Sequence, residues 1–135
     1  PEVVPELLRV LSASGLPPRQ TPVISFHANV IAAVKKARPE LPAYWVVSLK
    51  PAKGKQPPTA ESLIATAKQV RADGLDLSAT ETLDRAFAQK VQAAGLKLYV
   101  WTVNNPKVAR RMVELGVEGI TTDRPGWLRD QLAKP

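Results

Sequence analysis

The chain has no cysteine, which excludes disulfides and thiolate metal sites but does not decide the compartment. Histidine occurs once, and one imidazole cannot serve as both acid and base partner in a hydrolytic site. No run of about 18 apolar residues is present, so no segment is a candidate membrane-spanning helix. No charged stretch followed by an apolar one opens the chain, so no secretory leader is visible. The compartment stays open between cytoplasm and periplasm. No glycine-rich phosphate loop follows any strand-like run, which argues against a nucleotide-binding open sheet.

What is there is a globular composition. Apolar residues make up 44% of 135 residues, a length that suits one domain spanning residues 1–135. The formal charge is +7, from 19 basic and 12 acidic residues. Such a field favours anionic partners such as phosphate esters, although a solvated basic surface explains most of it. Lys35, Lys36 and Arg38 close one helix-like segment, Lys53 and Lys55 lie in a proline-rich stretch, and Arg110 and Arg111 fall mid-helix. They form no stripe interleaved with aromatics, so nucleic acid is not the expected partner.

Periodicity predicts helices over 5–14, 28–37, 60–72, 80–94, 106–115 and 125–133, each with apolar residues at helical spacing. Short β-prone runs over 22–27, 44–49, 74–78, 96–103 and 119–122 alternate with them. Thr59 is placed to cap the third helix, and Asn105 followed by Pro106 opens the fifth in the favoured order of cap, then proline. Asp123 stands just ahead of the last helix, where a cap is expected. Trp127 is expected to seal that helix onto the sheet. Five strands joined by helical crossovers imply a parallel α/β sheet, open or closed into a ring. A complete (β/α)8 barrel needs eight strands. Periodicity alone leaves the two arrangements open.

Two strand ends carry sharper information. Residues 95–104 end in Trp-Thr-Val-Asn, and residues 116–125 read Gly-Val-Glu-Gly-Ile-Thr-Thr-Asp-Arg-Pro. Together with the Ser-Phe ending of 22–27, these segments resemble the C-terminal part of the glycerophosphodiester phosphodiesterase family. The resemblance implies a partial TIM barrel whose five strands would be the fourth to eighth. It implies hydrolysis of a small-molecule glycerophosphodiester to an alcohol and glycerol 3-phosphate, with a divalent ion such as Mg²⁺ or Ca²⁺. The family's His-Arg-Gly, Glu-x-Asp, His-Asp and Glu-x-Lys motifs precede the Ser-Phe strand and are absent here. The chain alone is therefore expected to be inactive, with the metal ligands outside it. Completion by a missing N-terminal segment or by self-association would cover its open edges. The rival expectation is a non-catalytic truncated barrel acting as a binding or scaffold module.

By the same resemblance, Trp101 lines the substrate pocket, and Phe26 either adds an apolar wall to it or packs in the core; Asn104 either hydrogen-bonds a substrate oxygen or turns the chain ahead of the Asn105-Pro106 cap. His27 follows the Ser-Phe strand but matches neither family histidine, and is expected to open a helix instead. Lys50 and Lys53 fall on the loop beyond the second strand, where they could draw in an anion. Tyr44 and Trp45 are expected to pack in the sheet.

Overall fold

In the computed structural model, which describes residues 1–135, strands and helices alternate along the chain. Helix α1 (Val3–Ala13) leads through a single 3-10 turn (Pro18–Gln20) to β1 (Val23–Ser25) and α2 (Ala28–Ala37). Then come β2 (Ala43–Val47), α3 (Ala60–Gln69), β3 (Gly74–Ser78), α4 (Arg85–Ala93) and β4 (Lys97–Trp101). The chain finishes with α5 (Pro106–Glu114), β5 (Gly119–Ile120) and α6 (Pro125–Ala133).

All strands are parallel, and their spatial order is their order in the chain. Parallel neighbours need crossovers, and crossovers of one hand place every helix on the same face of such a sheet. The result is one sector of a ring. Side chains alternate along each strand, and the alternation matches this. Val23, Ala43, Leu75, Leu77, Leu98 and Val100 join the core shared with the helices. The registers place Ile24, Tyr44, Asp76 and Tyr99 together on the opposite, inner face. Ile24 is 59% exposed there and Phe26 60%, while Tyr44 and Asp76 are buried.

Local chemistry fixes most element ends. Thr59 accepts from the Ser62 amide and Asn105 from the Lys107 amide, as their positions predict. The fourth helix begins at Arg85, not at residue 80, because Asp84 caps it by accepting from the Phe87 amide. The residues before it are held as a turn. Leu83 is fully buried, and Arg111 donates to the main-chain oxygens of Leu83 and Thr80.

Two expectations at the C-terminus fail. Arg124 occupies the cap position of α6 without a side-chain bond, and Asp123 instead accepts from Asn104 Nδ2 at 2.7 Å. Trp127 is 38% exposed beneath the Arg124 guanidinium, a cation–π contact, while Leu128 buries its side chain in the core.

Lys35 also departs from the solvated role given to basic residues. It is 7% exposed and binds the main-chain oxygens of Pro39 and Leu41 and the Asp73 carboxylate.

Candidate functional site

The C-terminal ends of the strands carry the side chains that converge. Phe26, one residue past β1, and Trp101, the last residue of β4, meet edge to face at 5.6 Å between ring centres and 85° between planes. Backbone contacts hold both rings in place. Trp45 Nε1 donates to the Phe26 carbonyl at 3.0 Å, and Trp101 Nε1 donates to the Asp76 carbonyl at 3.0 Å. Trp45, expected as plain sheet packing, thus also fixes a wall of the cavity.

That cavity, about 310 Å³, is lined by Ile24, Ser25, Phe26, Val46, Asp76, Trp101 and Thr121. A second one on the same inner face, about 320 Å³, adds Tyr44 and Tyr99 and shares Ile24, Asp76 and Thr121. The two tyrosine rings meet at 4.6 Å between centres with their planes tilted by 43°, and their hydroxyls are 3.4 Å apart. Burial and the Tyr99 hydroxyl push the Tyr44 phenol above its ordinary value. The largest hollow, about 480 Å³, lies between the starts of α3 and α4. Most of its polar and charged groups are already engaged: Thr59 and Asp84 cap those helices, and Glu61 pairs with Lys90, which leaves Gln56 and Thr82. It offers fewer free groups for chemistry than the inner face does.

Asp76 is the inner-face residue that sequence reasoning missed. It is 6% exposed, and its Oδ1 has no hydrogen-bond partner. Burial pushes its carboxyl up to about 6 from an ordinary 3.8, because desolvation penalises the ionised form. A signal was present in the sequence. Leu75 and Leu77 flank it in a short strand, and if both leucines face helices, the residue between them must face the interior of the ring.

Asn104 lines neither cavity. Its Oδ1 accepts from the Thr122 hydroxyl and the Asp123 amide, and its Nδ2 donates to Asp123 Oδ2. The amide therefore ties the loop after β4 to the loop after β5. His27 occupies the cap position of α2 without a side-chain bond. Lys50 and Lys53 are exposed on the long loop that follows β2.

The chain's own residues do not fit a hard divalent ion. Such an ion wants several convergent oxygens, whereas no group of three or more His, Cys, Asp or Glu residues comes together. No Lys or Arg lines either inner-face cavity. The arrangement can wall and orient a ligand and accept hydrogen bonds from it. It lacks the cationic clamp that a phosphoryl transition state requires.

The sequence profile of the glycerophosphoryl diester phosphodiesterase family matches residues 2–127. The chain belongs to that family. Among family members of solved structure, a glycerophosphodiester phosphodiesterase from Parabacteroides distasonis is 22% identical, with a TM-score of 0.73 over 97% of this chain and 50% of that one. An Oleispira antarctica phosphodiesterase, solved with the product sn-glycerol-3-phosphate, is 19% identical, with a TM-score of 0.67 over 84% of this chain and 42% of that one. At these identities the likeness establishes the fold, a sector of a TIM barrel. Bacillus subtilis YhdW, provisionally named a glycerophosphodiester phosphodiesterase, is 39% identical over 46 residues, or 34% of this chain and 19% of the relative. The chain spans half or less of each of these relatives.

Proposed function

We propose that these residues form the C-terminal share of an enzyme that hydrolyses glycerophosphodiesters to an alcohol and glycerol 3-phosphate. Residues 1–135 alone are catalytically inactive in this reading. The observation that carries it is the pairing of Trp101 and Phe26 over a cavity at the strand ends, the rim where TIM-barrel active sites lie. The two rings supply an apolar corner for the carbon skeleton of the substrate. Asn104 has one N–H left over after its loop contacts, and this hydrogen is offered to a substrate oxygen. The divalent ion implied by the family is held by ligands outside this chain, as are the acid and base that move protons.

The experiment is metal-dependent release of glycerol 3-phosphate from glycerophosphocholine. The full chain is expected to turn over and residues 1–135 to give none. No turnover by the full chain, with the missing motifs confirmed present in it, would remove this reading.

A second reading, a non-catalytic binding or scaffold module, draws on the open inner face bearing Ile24 and Phe26. It requires the full chain to lack those motifs, which an intact mass of the purified protein decides.

A further inference from the structure

Between the C-terminal ends of α2 and α3, on the outer side of the sheet, lies a hollow of about 370 Å³ lined by Ala32, Lys36, Gln69, Val70 and Arg71. Both helices flank strands inside the chain, so strands added beyond β1 or β5, or across the inner face, leave the hollow open. No acidic residue contributes to its lining. The ion pairs of the chain engage Arg9, Lys35, Arg38 and Lys90, so Lys36 and Arg71 keep their charges free for a partner. Lys36, Gln69 and Arg71 are all exposed.

Arg71 is held there against its backbone preference. It is the one non-glycine residue in the left-handed region, with φ of 59°, and it follows directly on the C-cap of α3. At the same position α1, α4 and α5 carry Gly15, Gly95 and Gly116, with φ of 69°, 78° and 77°. A side chain crowds the backbone in this conformation, whereas glycine does not. A basic residue suits the negative end of a helix, but Lys68 already fills that role from the last turn of α3. Strain of this kind persists where the side chain has a use, and what Arg71 adds is a guanidinium on the hollow.

The donors decide which ligand fits. The two helix ends bring about half a negative charge each, against a full positive charge on each of Lys36 and Arg71, so the hollow is net positive. The guanidinium presents a planar fork, the ammonium a point charge, and the Gln69 amide further N–H groups. A carboxylate brings one charge and two oxygens. A phosphate monoester brings a charge of about −1.5 to −2 and three terminal oxygens, which match two cations and three donor groups. Ala32 and Val70 leave apolar surface for the carbon group that carries the phosphate.

We propose that Lys36, Gln69 and Arg71 form a binding site for a phosphate monoester, at the end of the sheet opposite the rim that carries Trp101 and Phe26. The site is built from side chains of this chain alone.

The test is a titration of the ¹⁵N-labelled full chain with glycerol 3-phosphate, following the Arg71 Nε–H and the Gln69 side-chain amide by NMR. Glycerol, and sodium chloride at matching ionic strength, are the controls. Both signals are expected to move together and saturate with glycerol 3-phosphate but not with the controls. Arg71→Gly is expected to raise the thermal midpoint by relaxing the turn, yet to weaken binding read at Gln69 by at least about tenfold. Lys36→Ala is expected to weaken binding to a similar degree. Sedimentation with phosphatidate vesicles, against phosphatidylcholine vesicles, separates the two sources of the group. Saturation by glycerol 3-phosphate assigns a free monoester; sedimentation with phosphatidate alone, lost in both variants, assigns a lipid-borne one. Absence of both, or binding that both variants leave unchanged, overturns the proposal.

Discussion

Asp76 ionises at about 6 in the folded chain and near 3.8 when unfolded. Between those values the folded state keeps a proton that the unfolded state has lost. Its contribution to stability is therefore full below about pH 4 and falls away as the pH rises through about 6. One unit is about 1.4 kcal/mol; because the cavity beside the carboxyl admits water, the shift of about two units is discounted to roughly 1–2 kcal/mol. Asp76→Asn is expected to stabilise the protein by that amount near pH 7.5 and to leave it unchanged near pH 4. Urea midpoints at the two pH values check this, and an equal shift at both would show that charge burial is not the cause. Lys35 gives the opposite case, a buried charge that is paired. Losing one partner of a buried pair costs about 3–5 kcal/mol, but the Asp73 side chain is 40% exposed and water can rehydrate it. Lys35→Met is therefore expected to cost about 2–3 kcal/mol by denaturation. Neither residue's burial was legible in the sequence, because burial of a charge depends on partners distant along the chain. Trp101 and Phe26 were legible by resemblance, and the structure does bring them together.

At the level of elements, the alternation of strands and helices follows from side-chain period and caps. Every helix and strand expected from the sequence is present. The starts of elements were less legible where two cap candidates compete. Thr80 precedes an apolar helical pattern just as Asp84 does, yet the Thr80 hydroxyl ends buried without a partner, while Asp84 caps the helix. Only the tertiary contacts of Leu83 and Arg111 decide between them. A packing constraint of this kind also sits at Gly74, where β3 approaches β4. A Cβ there would lie 2.4 Å from the Lys97 carbonyl oxygen, which is backbone and cannot swing aside. Gly74→Ala is expected to cost about 1–3 kcal/mol, since the strands must part. Gly126 in α6 has open space around it, so Gly126→Ala is expected to be neutral or stabilising by up to about 1 kcal/mol. Thermal melts of the two variants separate steric crowding from a general dislike of substitution at glycine.

At the level of the whole molecule, five parallel strands with helices on one face leave β1 and β5 as free edges and the inner face uncovered. Free edges present unpaired N–H and C=O groups, and parallel sheets are ordinarily covered on both faces. Ile24 and Phe26 add large apolar surface on that face, each more than half exposed. Fully burying such a side chain is worth about 1.5–3 kcal/mol, so two per chain, doubled across a pair of chains, are enough to drive weak association. Residues 1–135 in isolation are accordingly expected to show a weight-average mass that rises with concentration in sedimentation equilibrium. Ile24→Lys should bring it back toward the 14.7 kDa of a single chain, because a charge cannot be buried unpaired in the contact. A chain that stays monodisperse at 14.7 kDa through the millimolar range would mean that the inner face is stable in water as it stands. A longer chain supplying the remaining strands should remove the concentration dependence without any substitution, since those strands occupy the same surface.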